Sequence, residues 1–413
     1  MKKWFTLSFL SLAFFFYMSD RALFGLLVIP IQETTGLSDI QIGLVDTAMF
    51  WLYAVIVPFA GILGDIIDRR KLIALSIVLW GAATALTGLV GGFLGFVLVR
   101  SVLVTGIQTV YTPAASALIA EEHGETRSTA LSIHQAALYT GLMCSGAIVS
   151  AALSHGIGWQ GVYWIFGGMT VAVGILFSVY VAWSGKGVSA QQGRCAAKRP
   201  GLKAGMKAFF GNPAALCAGG GYMCVLFVTN AYAAWAPKFV ASRFDLGVGA
   251  SGKGVMFYHN CAALAAILVA GFLTDMFVRR NAKARLWIQV ASLLVGSPLL
   301  VCFGLAPTIG CVWAAIAAWG IARGFFQSNA FASLFDVVPA ESRSSAVGFL
   351  NVLTALVCSL APLSLGALSQ RFGTNGLAAG FAAMGALLLI GAAVMMISCV
   401  MYFDKFRVER GES

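Results

Sequence analysis

The sequence predicts an all-α polytopic membrane protein of about twelve transmembrane helices, arranged as two parallel six-helix repeats. Composition, the spacing of apolar runs and a short motif written twice carry that prediction. Of 413 residues, 59% are hydrophobic and only 10% charged, with a mean hydropathy of +0.87; a soluble domain carries about 25% charged residues. A bilayer core about 30 Å thick takes roughly 20 apolar residues per helical span. Runs of that kind fall near 4–30, 40–64, 72–91, 95–120, 129–152, 162–183, 214–236, 250–274, 285–306, 308–334, 345–368 and 376–402. The pattern G-x-L-x-D-x-x-x-R-R stands in GILGDIIDRR, Gly61 to Arg70, and again in GFLTDMFVRR, Gly271 to Arg280.

The first run begins like a signal peptide, with Lys2 and Lys3 ahead of apolar residues. It continues too long, carries Asp20 and Arg21, and has no small-x-small cleavage site before Pro30, so it is expected to remain as the first helix. The nine cysteines include no CxxC pair, and all but Cys195 lie in apolar spans, where they serve as small packing residues. A net charge of +11 would point to nucleic acid in a soluble protein. Here the arginines and lysines gather in alternate breaks, at Lys2 and Lys3, Arg69 to Lys71, Arg127, Lys186 to Lys207, Arg279 to Arg285, Arg343 and Lys405 to Arg410. The other side has Lys238, Arg243 and Arg371, with Lys253 near a helix end. The positive-inside rule then places both termini and the long central loop in the cytoplasm, in a plasma or inner membrane, and requires an even number of spans. No nucleic-acid partner is expected.

The central stretch 184–212 is basic and rich in small residues, and reads as a linker on the anionic inner leaflet between an N-terminal bundle, 1–183, and a C-terminal bundle, 213–413. The twofold reading is testable within the sequence. Asp65 recurs as Asp275, 210 positions on, and ETRSTA from Glu125 recurs as ESRSSA from Glu341, 216 positions on, each in the corresponding break of its half. Parallel repeats of this kind place a substrate near the bilayer midplane between the halves.

With the repeat established, Gly61, Leu63, Asp65, Arg69, Arg70 and Lys71 resemble the signature loop of the major facilitator superfamily between helices 2 and 3, with Ile66 and Asp68 as departures. The resemblance covers the chain and implies the major facilitator fold. It also implies a gating role for Asp65, Arg69 and Arg70 and for Asp275, Arg279 and Arg280: the carboxylate faces a helix N-terminus and holds the outward-open state, an arrangement worth about 0.3–1 kcal/mol. Tyr17-x-x-Asp20-Arg21, followed by GLSDIQIG, resembles the anion:cation symporters of sugar acids and the spinster-like transporters; RSVLVTGIQTVYTP from Arg100 resembles the fourth helix of both. The acidic residue usual in that helix is replaced by Ile107 and Gln108, so no proton-coupling glutamate carries over.

A charge at lipid depth costs about 2.5–3.5 kcal/mol on insertion scales, so it marks function by default. Arg21, Arg100 and Arg323 are such cations, against Asp20 and Asp46. Positive charge is left over, and an anionic substrate would complete it, since arginine suits bidentate carboxylate or phosphate recognition. Asp20 is equally open to pairing with an arginine for folding, Arg100 to a place in the coupling machinery, and Asp46 to proton transfer or a plain ion pair. Helical spacing adds Gln327 on the face of Arg323, with Asn329 nearby, and Gln135 with Tyr139. Asn351 follows Gln135 by 216 positions. Together with Tyr17, Gln108, Tyr111, Asn230 and Trp235 these suit a polyhydroxylated ligand, although amides also join helices in membranes. His134 and His259 read as hydrogen-bonded packing residues or proton carriers.

No nucleophile elbow, phosphate-binding glycine loop or paired metal ligands occur, so neither an enzyme nor a cofactor or metal is expected. The function expected is proton-coupled uptake of a small organic anion, such as a sugar acid or carboxylate, by a secondary active transporter working by alternating access. A spinster-like lipid or drug exporter is one other reading, with an apolar cavity. A non-transporting receptor or sensor is another, although it has no need of two gating loops.

Overall fold

A computed structural model describes residues 2–123, 126–183, 202–339 and 342–408, and these are almost entirely helical, with no strand. In chain order the helices are α1 (Lys2–Leu26), α2 (Val28–Thr35), α3 (Asp39–Ile66), α4 (Arg69–Thr87), α5 (Phe93–Phe96), α6 (Thr105–Glu122), α7 (Arg127–Ser154), α8 (Trp159–Trp183), α9 (Leu202–Phe210) and α10 (Pro213–Phe244). They continue with α11 (Val248–Val278), α12 (Ala284–Leu305), α13 (Ile309–Phe335), α14 (Arg343–Cys358), α15 (Leu360–Ile397) and α16 (Phe403–Phe406). Between α5 and α6 the helix widens into a π-segment, Val97–Val104.

Eleven stretches among the described residues are long and apolar enough to cross a membrane. The last, Ala346–Phe406, runs for 61 residues. At 1.5 Å per residue that is about 90 Å, roughly three bilayer cores, and the backbone breaks at Gly373, where φ is 58° and ψ −141°. Only glycine adopts that geometry without strain, so the stretch holds two crossings and the count agrees with the twelve expected. Most of the expected linker lies outside the described residues; its end forms the short helix α9.

Close contacts divide the described chain into two units. The first holds Met1–Cys195 together with Ala233–Phe257 and Pro362–Gln370; the second holds Ala196–Tyr232, Tyr258–Ala361 and Arg371–Ser413. Each is built on glycine-mediated helix crossings, since helices in lipid associate through close packing rather than through a hydrophobic drive. In the first unit α4 crosses α8 where a Cβ on Gly81 would meet Val171 N at 2.7 Å, and one on Gly167 would meet Ala85 N at 2.5 Å. α1 and α7 meet at Gly141, whose carbonyl accepts from Ser19 Oγ at 3.0 Å. In the second unit α12 meets α15 at Gly304 and Gly385, and α13 meets α11 at Gly320 and Gly324, again with backbone oxygens within 2.4–2.7 Å of a notional Cβ.

Helix ends are fixed locally. Asp68 accepts from the backbone of Arg70 and Lys71 and so caps α4, a physical reason for an acid where the family loop departs. Ser38 and Gln41 form a reciprocal capping box at the start of α3: Gln41 N donates to Ser38 Oγ and Ser38 N to Gln41 Oε1. Gly36, in the left-handed region at φ 69°, ends α2 just before it.

Candidate functional site

Unit 1 buries the first candidate cluster. Arg100 projects from the π-segment and is 1% exposed, as is Asp20. Its Nη1 donates to Asp20 Oδ2 at 2.7 Å and its Nη2 to the Asp20 carbonyl at 2.5 Å. Gln108 Nε2 adds a donor to the same carboxylate at 2.7 Å, and Thr84 Oγ1 another at 3.2 Å. Tyr163 lies beneath the guanidinium, 5.9 Å from its carbon. A buried charge is tolerated only when paired and hydrogen-bonded, and this one has both. Three of the predicted site residues, Asp20, Arg100 and Gln108, are thus spent on one another.

Arg21 differs. It is half-buried, lies 5.5 Å from the Phe50 ring and 6.0 Å from that of Tyr17, and donates to Tyr17 Oη at 3.4 Å. Asp46, also half-exposed, lies within electrostatic range of Arg100 and Arg21 without a hydrogen bond to either. Tyr17, Tyr111 and Trp80 make one aromatic group with ring centres about 6 Å apart. Tyr111 is fully buried, donates to the Leu10 carbonyl and lies 3.3 Å from His134, which stacks on Phe14. Tyr139 is half-buried and Gln135 exposed. Trp235 is buried, and its indole N–H donates to the Pro362 carbonyl at 2.8 Å.

Unit 2 gathers a second cluster. Arg323 Nη1 lies 3.2 Å from His259 Nε2, while the other nitrogen of that imidazole faces the Ile316 carbonyl at 3.4 Å. The Tyr232 ring centre is 4.8 Å from that of His259. Arg323 Nε and Gln327 Oε1 are buried and have no hydrogen-bond partner, and no carboxylate among the described residues pairs with Arg323. Asn329 is occupied by Thr274 and its own helix. Asn230 and Asn351 are half-buried. Tyr232 escaped the sequence argument, although it stands two residues after Asn230; Thr84 had no signal at all.

The loops expected to gate are partly visible. The side chains of Asp65 and Asp275 lie outside the described residues. Arg69 pairs with Glu121, and Arg70 Nη2 with Glu122 at 2.7 Å, joining the start of α4 to the end of α6. In the second half Arg279 and Arg280 are exposed. The equivalent clamp there uses Arg285, whose Nη1 donates to both carboxylate oxygens of Asp336 at 2.8 and 2.9 Å, joining α12 to the end of α13.

The family model for the Major Facilitator Superfamily matches residues 9–362. The chain belongs to that superfamily. Among curated relatives, it is 27% identical over 300 residues to the human (Homo sapiens) voltage-gated purine nucleotide uniporter, a match covering 69% of this chain and 66% of that one. It is 22% identical over 410 residues to the probable galactarate/D-glucarate transporter of Escherichia coli, covering 92% and 88%. A solved structure of a bacterial homologue of the human lysosomal transporter spinster, inward-facing and unoccupied, superposes with a TM-score of 0.85 at 19% identity and covers 99% of both chains. The superfamily, the transporter fold and the multi-pass membrane character expected from the sequence are thereby established.

Proposed function

We propose that this chain is a secondary active transporter that takes up a small organic anion, most plainly a sugar acid or related carboxylate, together with a proton, by alternating access. One observation carries the choice of substrate class. Of the three lipid-depth arginines, Arg100 is neutralised by Asp20, whereas Arg21 and Arg323 have no hydrogen-bonded carboxylate among the described residues. With Asp46 the only other acid near Arg21 among the described residues, cationic charge remains, and in Arg323 and Gln327 a buried donor and acceptor remain unused. A carboxylate with adjacent hydroxyls supplies both complements. The curated relatives include a probable galactarate/D-glucarate transporter and probable anion transporters, which supports the same class. Asp46 is the residue we assign to the proton, since a carboxyl group without a fixed partner can change charge during the cycle.

The structural likeness to a spinster homologue favours a second reading, a spinster-like exporter of lipids or drugs. Thermal stability in detergent separates the two. Wild type and Arg323→Ala are screened against sugar acids, simple carboxylates, phosphate esters, neutral sugars and lysolipids. Stabilisation by an acidic ligand that disappears in Arg323→Ala supports anion uptake. Stabilisation by lysolipids alone, equal in both proteins, overturns it in favour of the exporter.

A further inference from the structure

One polar cluster has no part in either group above. Lys238, on α10, donates Nζ to Asp39 Oδ1 at 2.5 Å and to Gln32 Oε1 at 2.8 Å; Gln32 Nε2 donates to the same Asp39 oxygen at 2.7 Å. Ser369, on α15, hydrogen-bonds Asp39 as well, and Gln370 Oε1 accepts from Ile40 N at 3.2 Å. The first turn of α3 is therefore held by two segments from the second half of the sequence, and all of these residues belong to unit 1. The ion pair is largely withdrawn from solvent, with side chains 17% and 11% exposed, and Lys238 also lies 5.4 Å from the Trp235 ring centre.

Chain direction fixes which side this is. Gln32 and Asp39 follow the first crossing, Lys238 ends the seventh, and Ser369 ends the eleventh, all odd-numbered, so all lie on the face opposite the arginine-rich loops. Around the cluster the backbones touch: a Cβ on Gly25 would meet Ala233 O at 2.5 Å, one on Gly43 Pro362 O at 2.9 Å, one on Gly366 Asp39 O at 2.6 Å, and one on Gly146 Gly252 O at 2.6 Å. A charged pair bridging such close packing makes the closed arrangement a discrete state.

We propose that Gln32, Asp39 and Lys238, steadied by Ser369 and Gln370, form a latch that keeps the outer ends of these helices shut and breaks each time the transporter opens to that side. The inference rests on the alternating-access part of the function above, but on no substrate. The capping box at Ser38 and Gln41 holds Asp39 in place in both states, and Lys238, at the end of a long helix, is the part that leaves.

Hydrogen–deuterium exchange of the full chain in lipid nanodiscs, without ligand, tests it in wild type, Asp39→Asn, Lys238→Gln and the exchanged pair Asp39→Lys with Lys238→Asp. Each single variant is expected to raise exchange at 28–43, 233–246 and 362–372, on the order of tenfold. Exchange at the opposite ends, around 67–72 and 278–285, should fall in step, and the exchanged pair should restore the wild-type pattern. Unchanged exchange at the outer ends overturns the latch. A rise at both ends also overturns it, because that pattern marks a static staple whose loss loosens the whole protein. Because no ligand is present, failure of the substrate panel leaves this result intact, and failure here leaves the anion reading standing.

Discussion

Asp20 accepts from Arg100, Gln108 and Thr84 at once, and this saturation decides what the residue can do. Removing one partner of a buried pair costs about 3–5 kcal/mol. Asp20→Ala is therefore expected to lower the unfolding midpoint in detergent sharply or prevent recovery of monodisperse protein, measured by intrinsic fluorescence during heating. Arg323→Ala, which breaks no ion pair, should keep a near wild-type midpoint and lose only stabilisation by anions. That Arg21, Arg100 and Arg323 stand in long apolar helices was legible from residue types alone. Which arginine meets Asp20 was not, because helical periodicity assigns a residue to a face and says nothing of the neighbouring helix. Tyr232 shows the same limit: its place beside His259 follows from how α10 lies against α11, and no spacing within either helix encodes that.

Between elements, the two halves repeat more than the motif that revealed them. Arg70 with Glu122 and Arg285 with Asp336 tie the third helix of each half to the fourth, and the α4–α8 crossing at Gly81 and Gly167 has its counterpart in the α12–α15 crossing at Gly304 and Gly385. The ion pairs are partly solvated, so Arg70→Ala should cost about 0.2–1 kcal/mol, a small shift in midpoint. A larger side chain at the glycine crossing has nowhere to go: Gly81→Leu should destabilise by about 1–3 kcal/mol in the same assay. Positions of the spans were readable because each needs a fixed length of apolar residues. The second clamp was not, because Arg279 and Arg280 copy the first motif's spelling while Arg285 holds its position in space. The turn between the last two spans was readable too: Gln370, Arg371, Thr374 and Asn375 interrupt the apolar run around Gly373, where the backbone of the long helical stretch breaks.

At the level of the whole molecule, transport of an anion is a matter of charge moved across a potential. Bringing one negative charge inward against 100 mV costs about 2.3 kcal/mol, which one accompanying proton cancels. Uptake of a labelled sugar acid into proteoliposomes should therefore accelerate with an inward proton gradient. With Asp46→Asn the gradient should lose its effect while exchange of internal for external substrate persists. Uptake indifferent to the gradient in wild type would remove Asp46 from its assigned role. The family and fold were legible in the sequence because a repeated loop and the number of crossings are global properties. The latch at Asp39 was not, since Lys238 in isolation is one stray cation on the sparsely charged side.

The π-segment at Val97–Val104 has a consequence for how the two halves diverged. From Arg70 to Glu122 the chain advances 52 positions, and from Arg285 to Asp336 51, so the two clamps span nearly the same length of chain. The wider turn, where Thr105 Oγ1 reaches back five residues to the Arg100 carbonyl, stores one extra residue without moving the helix end. Helical phase is thereby reset by about 100° within one crossing. Eight residues of plain α-helix would set Gln108 about 80° around the axis from Arg100; with one residue absorbed in the wide turn the two share a face, and both reach Asp20. An insertion of this sort lets the first repeat bury a paired charge while its end-to-end clamp stays intact.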